Sequence, residues 1–147
     1  MSALTDAAEN DLIDLLFANV DWANVGDAAG LQNSLTAGSF YISLHTASPG
    51  EAGDQTTSEA TYTGYARVAV ARSAAGWTVA GATASNAAAI TFGACTAGTN
   101  TITHFGIGSA LTLGGNLFIH GALTASLAVS AGITPSFAIG ALTITAA

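Results

Sequence analysis

The stretch Ile102-Thr103-His104-Phe105-Gly106-Ile107-Gly108, the loop Ser109 to Asn116, and Leu117-Phe118-Ile119-His120-Gly121-Ala122 decides the fold class. Phe105 and Ile107 alternate with His104 and Gly106 at the two-residue period of a strand whose faces meet different surroundings. Gly114-Gly115-Asn116 offers the backbone freedom that a chain reversal uses. The segment therefore reads as strand, turn and strand, the central hairpin of an all-β domain. It carries no charged side chain, and from Ser73 to Ala147 the chain has no Asp, Glu, Lys or Arg. Ordinary soluble domains are roughly a quarter charged. This half is thus expected to be solvated by Thr, Ser, Asn and backbone groups, or covered by further copies of the chain.

Working outward, the same alternation recurs. Ser39 to His45 places Phe40, Ile42 and Leu44 on one face and Tyr41, Ser43 and His45 on the other, as in a half-buried strand. Tyr65 to Ala71 reads as a second strand. Trp77 to Ala80 and Ala82 to Asn86 read as a short hairpin around Gly81, and Ala88 to Phe92 as a further strand. After the central hairpin, Ser126 to Val129, Ser136 to Ala138 and Leu142 to Thr145 follow at short spacings, separated by Gly132, Pro135 and Gly140. Gly64, Gly76, Gly81, Gly108, Gly121 and Gly140 are placed at or near strand ends. Short strands with this punctuation predict an antiparallel β-sandwich, jelly-roll-like or Ig-like.

One helix is expected, over Asp6 to Phe17. Asp6 and Glu9 resemble a capping pair, Leu4 is placed as a hydrophobic staple, and Ala8, Leu12, Leu15 and Leu16 share a face. Ile13 and Phe17 widen that face, so the helix either plugs one end of the sandwich or docks on a partner. The domain reading is a helix over 1–17 followed by a single β-sandwich over 18–147. Asn19 to Gly38, rich in Gly, Asn and Asp, reads as a loop anchored by Trp22, a residue of the core or of an interface, with the core favoured.

Charge narrows the function classes. The net charge is -7, all nine carboxylates lie between Asp6 and Glu59, and Arg67 and Arg72 are the only Lys or Arg residues. Nucleic-acid binding draws on clustered cations and is not expected. Apolar runs are broken well before the roughly 18 residues that a membrane-spanning helix needs, so membrane insertion is not expected either. Met1 to Asp6 lacks the basic and apolar regions of a secretory leader. The lone Cys95 rules out an internal disulfide and has no basic neighbour to activate it, which suits assembly in a reducing cytoplasm.

No catalytic, cofactor or metal site is predicted. There is no Gly-x-Ser-x-Gly elbow and no phosphate loop, and a triad lacks an orienting carboxylate beyond Glu59. His104 and His120 would approach each other if the hairpin paired symmetrically, but a structural zinc site needs about four ligands. The long connection Ala47 to Gly64 carries Glu51, Asp54 and Glu59 and is of the kind that partners shape. A cation between Asp54 and Glu59 is disfavoured by the sparse oxygen ligands. The candidate partner interface comprises Leu12, Ile13, Leu16 and Phe17 on the helix, these three carboxylates, and Arg67 and Arg72, each paired with acidic groups or with a neighbouring subunit.

The order Phe40-Tyr41-Ile42-Ser43-Leu44-His45-Thr46-Ala47-Ser48-Pro49-Gly50, Tyr62-Thr63-Gly64-Tyr65-Ala66-Arg67, Asn86-Ala87-Ala88-Ala89-Ile90-Thr91-Phe92, Thr103-His104-Phe105-Gly106-Ile107 and Gly121-Ala122-Leu123 resembles small virion proteins of tailed bacteriophages. Such proteins are often labelled tail-fibre proteins, and related small β-sandwich proteins serve as head decoration or cement. The resemblance implies a non-enzymatic structural protein without cofactors, forming homo-oligomers, with a trimer expected. It implies a place in the virion, with two readings. As cement, the chain would bind the major capsid protein on the outer head surface. As a tail-fibre or baseplate module, it would contact other tail proteins or a host receptor, and exposed loop aromatics such as Tyr62 would serve that contact. Compact length and the absence of a repetitive shaft favour decoration.

Overall fold

A computed structural model describes residues 4–146. Met1 to Ala3, on which the expectation of no secretory leader partly rests, and Ala147 lie outside the described residues. The elements are helix α1 (Asp6–Ile13), which runs on as a π-helical turn (Asp14–Ala18), and strands β1 (Ser39–His45), β2 (Val68–Ala71), β3 (Trp77–Ala80), β4 (Thr83–Asn86), β5 (Ile90–Thr91), β6 (Asn100–Gly108), β7 (Leu117–Val129), β8 (Ser136–Phe137) and β9 (Thr143–Thr145). The protein is mostly β, its sheets are antiparallel, and its one helix is short and N-terminal, in keeping with a β-sandwich. Two compact units share the chain: residues 1–38, 71–90 and 137–147 form unit 1, and residues 39–70 and 91–136 form unit 2. Among the described residues no helix is long and apolar enough to cross a membrane.

Unit 1 is built on α1 and the sheet β3-β4-β9. Thr5, in extended conformation, is the N-cap: its hydroxyl accepts the Ala8 N–H at 3.4 Å, and its carbonyl accepts the Glu9 N–H at 2.9 Å. This corrects the assignment of Asp6 as the cap; Asp6 and Glu9 instead lie in the first turn, where the dipole favours their charge. Leu4 is exposed, so it does not act as a staple. The π turn closes through the Val20 N–H to the Asp14 carbonyl at 3.2 Å, and Asn19 ends it in the left-handed region at φ 57°.

Ile13 and Phe17, four residues apart, are the buried positions of this helical segment, whereas Leu12, Leu15 and Leu16 are half-buried. Phe17 meets Trp77 edge-on at 4.7 Å between ring centroids. Ala84, Leu142 and Ile144 complete the buried set around them. Trp22, expected in the core, is half-buried and bridges to Leu31 across its loop.

Arg72 ends the helix from outside it. Its Nε donates to the Leu16 carbonyl at 2.7 Å and its Nη2 to the Leu15 carbonyl at 2.8 Å, which pairs the orphan acceptors of a helix C-terminus with a cation. Asn86, almost fully buried, does the equivalent for the C-terminal segment. Its Oδ1 accepts the Leu142 N–H at 2.9 Å, and its Nδ2 donates to the Ala88 and Ala138 carbonyls at 2.7 and 2.8 Å.

Unit 2 is organised by the sheet order β2-β1-β6-β7. β1 and β6 pair with Ile42 opposite Ile107 and His45 opposite His104. The hairpin β6–β7 exists as expected, but β7 runs to Val129 and absorbs the strand expected separately at Ser126 to Val129. Two irregularities interrupt its register, one between Ile102 and His104 and one between Ile107 and Gly108, and the second leaves Phe118 without an opposite residue. Gly121 therefore lies inside a strand and not at its end. A Cβ there would meet the Phe105 ring at 2.7 Å, so glycine is kept for close approach.

Other boundaries also move. β2 begins at Val68 because Arg67 turns into a hydrogen-bonded cluster, and β5 is only the core of the predicted Ala88 to Phe92. β1 is buried on both faces at its C-terminal end, where Ser43 and His45 are fully enclosed, so it is not the half-buried strand that alternation implied. Phe17→Ala is expected to destabilise the protein by about 3–5 kcal/mol, the usual loss for truncating a buried phenylalanine. Chemical denaturation followed by the fluorescence of Trp77 checks this.

Candidate functional site

The Ala47 to Gly64 connection is more deeply anchored than its polar composition suggests. Ser58, Glu59 and Ala60 lie along the end of β1: the Thr46 N–H donates to the Ser58 carbonyl and the Ala60 N–H to the Leu44 carbonyl, both at 2.8 Å. Asp54 organises its own turn, its Oδ1 accepting from the Thr56 N–H at 2.8 Å and the Thr56 hydroxyl at 2.6 Å. The Thr56 hydroxyl is the main reason that the Asp54 carboxyl is held below its usual range. The carboxylate is therefore engaged within its own turn. Glu51 is exposed on the same connection.

Glu59 and Arg67 form the polar floor of the site. The guanidinium meets the carboxylate in a bidentate pair, Nε to Oε1 at 2.6 Å and Nη2 to Oε2 at 2.7 Å. The Tyr65 hydroxyl donates to Glu59 Oε1 at 2.8 Å and accepts the Leu44 N–H at 3.0 Å. Burial is the first cause that raises the Tyr65 pKa, and the hydrogen bond to Glu59 is the first that raises that of Arg67. The sequence left open whether Arg67 pairs with an acid or with a neighbouring subunit; an acid of its own chain holds it.

This floor fastens the β6–β7 loop. Arg67 Nη1 donates to the Ala110 carbonyl at 2.9 Å. Gln55, fully buried, accepts the Ala110 N–H on Oε1 at 2.9 Å, donates from Nε2 to the Tyr41 carbonyl at 3.3 Å, and donates its own N–H to the Gly115 carbonyl at 3.4 Å. Ser109 closes the loop base through the Asn116 carbonyl and N–H, both at 3.0 Å. The Gly-Gly pair does not supply the left-handed residue of this turn. A Cβ at Gly115 would strike Gln55 Oε1 at 2.6 Å, and the residue in the left-handed region is Leu113, at φ 62°.

Leu113 is 81% exposed and Leu111 50%. A leucine held at positive φ in solvent costs of order 1–3 kcal/mol, and such strain persists where the surroundings over-determine it. With Glu59, Tyr65, Ala66, Arg67 and Thr112, the two leucines line an open depression of about 380 Å³. The arrangement offers an aliphatic rim over a fixed polar floor whose donors and acceptors already serve one another. Phe118, 54% exposed and edge-on to Phe40 at 5.8 Å, is the exposed aromatic of the same hairpin.

The predicted interface residues are distributed as follows. Glu59 and Arg67 are brought together, with Asp54 on the connection that Gln55 pins to the loop. Leu12, Ile13, Leu16, Phe17 and Arg72 belong to unit 1, where Ile13 and Phe17 serve its core and Arg72 its helix terminus. Tyr62, expected to be exposed, is buried, with its hydroxyl on the Gly93 carbonyl at 3.0 Å. His104 stands opposite Ala122 and His120 opposite Gly106, two register steps apart, and no group of three or more metal-ligating side chains occurs among the described residues. Gln55, Leu111, Leu113 and Phe118 were missed; the one local signal was the pair of leucines inside a turn.

A family model described as "Podophage GP4 fiber I protein gp80" matches residues 3–145. No curated protein matches the chain.

Arg67→Met is expected to destabilise by about 3–5 kcal/mol, because it strands the Glu59 carboxylate in a largely buried site; pairing it with Glu59→Leu should restore most of the loss. A double-mutant cycle by urea denaturation measures both.

Proposed function

The chain belongs to the podophage GP4 fiber I protein gp80 family and is a virion-associated phage protein, and from that premise we propose that it is a non-enzymatic fibre component whose β6–β7 loop is its contact surface. The observation that carries this reading is Leu113. Strain and solvent exposure both disfavour a leucine at that position, while Gln55 and Arg67 hold the loop that presents it. A built and strained apolar tip fits docking onto another protein, either a host receptor or a neighbouring tail protein. Self-association through the uncharged segment after Arg72 accompanies this reading, because chains carrying a net charge of -7 pack most readily through surfaces that lack charge. A trimer is the expected state.

Capsid decoration is the second reading. It is favoured by the two compact units and by the described strands, which form no repeated shaft. Quantifying the chain by mass spectrometry in separated heads and tails of purified particles discriminates the two. A few copies confined to tails support the fibre reading, and hundreds in the head fraction overturn it in favour of decoration. Leu113→Gly is expected to stabilise the fold by up to about 1–2 kcal/mol by removing the left-handed penalty. The same change should weaken attachment of the protein to its partner or of particles to host cells. Unchanged attachment, with light scattering showing an unchanged oligomer, would remove the loop from the contact surface.

A further inference from the structure

Against the 54–58 turn that anchors the tip, at the end of β1, lies a fully buried histidine that the contact surface itself does not use. His45 Nδ1 is 2.9 Å from the Thr57 carbonyl, and His45 Nε2 is 2.8 Å from the Ser43 hydroxyl. A carbonyl only accepts, so the proton sits on Nδ1, and the neutral Nε2 accepts from Ser43. The packing leaves no slack: a Cβ at Gly106 would stand 2.7 Å from Nε2 and 2.6 Å from the Ser43 hydroxyl.

Thr57 in turn closes the turn that contains Gln55. The Thr57 N–H donates to the Asp54 carbonyl at 3.2 Å, and the Asp54 N–H donates to the Thr57 hydroxyl at 3.1 Å. Gln55 then holds Ala110 and Gly115 at the base of the tip. Hydrogen bonds joined through the backbone of the 54–57 turn thus run from the imidazole to Ala110 and Gly115 at the base of the loop.

We infer that His45 is an acid-sensitive latch: protonating it drives the 54–58 segment away from β1 and releases the loop that presents Leu111 and Leu113. A second ring proton would turn Nε2 into a donor. Ser43, also fully buried, would have to reverse its hydroxyl to accept and would leave its own proton without the partner that it now has. A full charge would also be held away from water. The Thr57 carbonyl would accept a stronger bond from the charged ring and so favours it, but burial outweighs that bond, and the charged and titratable groups facing the ring do not restore the balance. Glu59, bridged to His45 in the backbone, favours the charge but is committed to Arg67 and Tyr65; Arg67 opposes it, and so does His104, directly opposite on β6.

Burial, the largest cause, holds the His45 pKa below its ordinary 6.5. Between that lowered value and 6.5 the opened loop binds more protons than the closed one. The closed state is therefore fully favoured above 6.5 and loses ground as pH falls towards the buried value, by up to about tenfold per pH unit. The latch concerns the loop itself and rests on the proposed contact role only for its consequence.

Amide hydrogen exchange of Gln55 and Ala110, corrected for the intrinsic rate, tests the latch in the full chain. Protection is expected to fall between about pH 7.5 and about pH 5, by no more than about tenfold per pH unit below 6.5, to stay level in His45→Gln, and to fall as in the unaltered protein in His104→Gln. Unchanged protection in the unaltered protein, or an equal fall in His45→Gln, would overturn it. If His45→Gln does not fold, the ring titration of His45 in the unaltered protein decides. A midpoint shared with the loss of Ala110 protection supports the latch, and a His45 that charges while Ala110 stays protected sinks it. Neither result depends on whether Leu113→Gly weakens attachment, so the latch and the contact role fail separately.

Discussion

Buried backbone groups need partners, and this chain has few charged side chains to supply them. With a fully uncharged segment after Arg72, the work falls on a small set of amides and the two arginines. Asn86 fastens the C-terminal segment in unit 1, and Asn100 accepts the Thr61 and Tyr62 N–H groups in unit 2 at 2.8 and 2.9 Å. Gln55 ties one loop to another, and Arg72 completes the helix end. Each is buried or partly so, and each answers several backbone groups at once. In a low-dielectric interior these bonds matter chiefly because leaving them unmade is costly.

The Glu59–Arg67 pair shows how that constraint shapes a site. A buried ion pair gives weak net stability, because desolvation offsets most of the attraction, yet it fixes geometry closely. Here the geometry is that of the β6–β7 loop, which Arg67 grips through the Ala110 carbonyl while Gln55 grips the adjoining N–H. The rigid base is what allows Leu113 to remain in a conformation that a free loop would abandon. Stability spent in this way is consistent with a surface shaped for a partner.

Trp77 shows the limit of the same economy. Its ring fills the unit 1 core against Phe17, yet its Nε1–H is buried without a hydrogen-bond partner among the described residues. The large apolar area of the indole outweighs one unmade bond. Cys95 follows the opposite pattern: it is small, buried, and directed at the Ala97 and Gly98 carbonyls, as an inert packing residue should be.

By itself the sequence determined the all-β class, the single N-terminal helix, the bounds of β1, the β3–β4 hairpin around Gly81 and the β6–β7 hairpin. It also carried the order of residues that marks a phage virion family. These features are legible because alternation, turn residues and helix periodicity act between near neighbours. Only the tertiary structure decided that His45 and Ser43 are enclosed, that Tyr62 is buried while Phe118 is not, that Arg67 binds Glu59, and that Leu113 takes the left-handed position beside two glycines. Those outcomes depend on contacts such as Gln55 with Ala110 and Arg67 with Ala110, which join residues far apart in the chain. Local pattern says which face of a strand is apolar; only the assembled fold says what lies against the other.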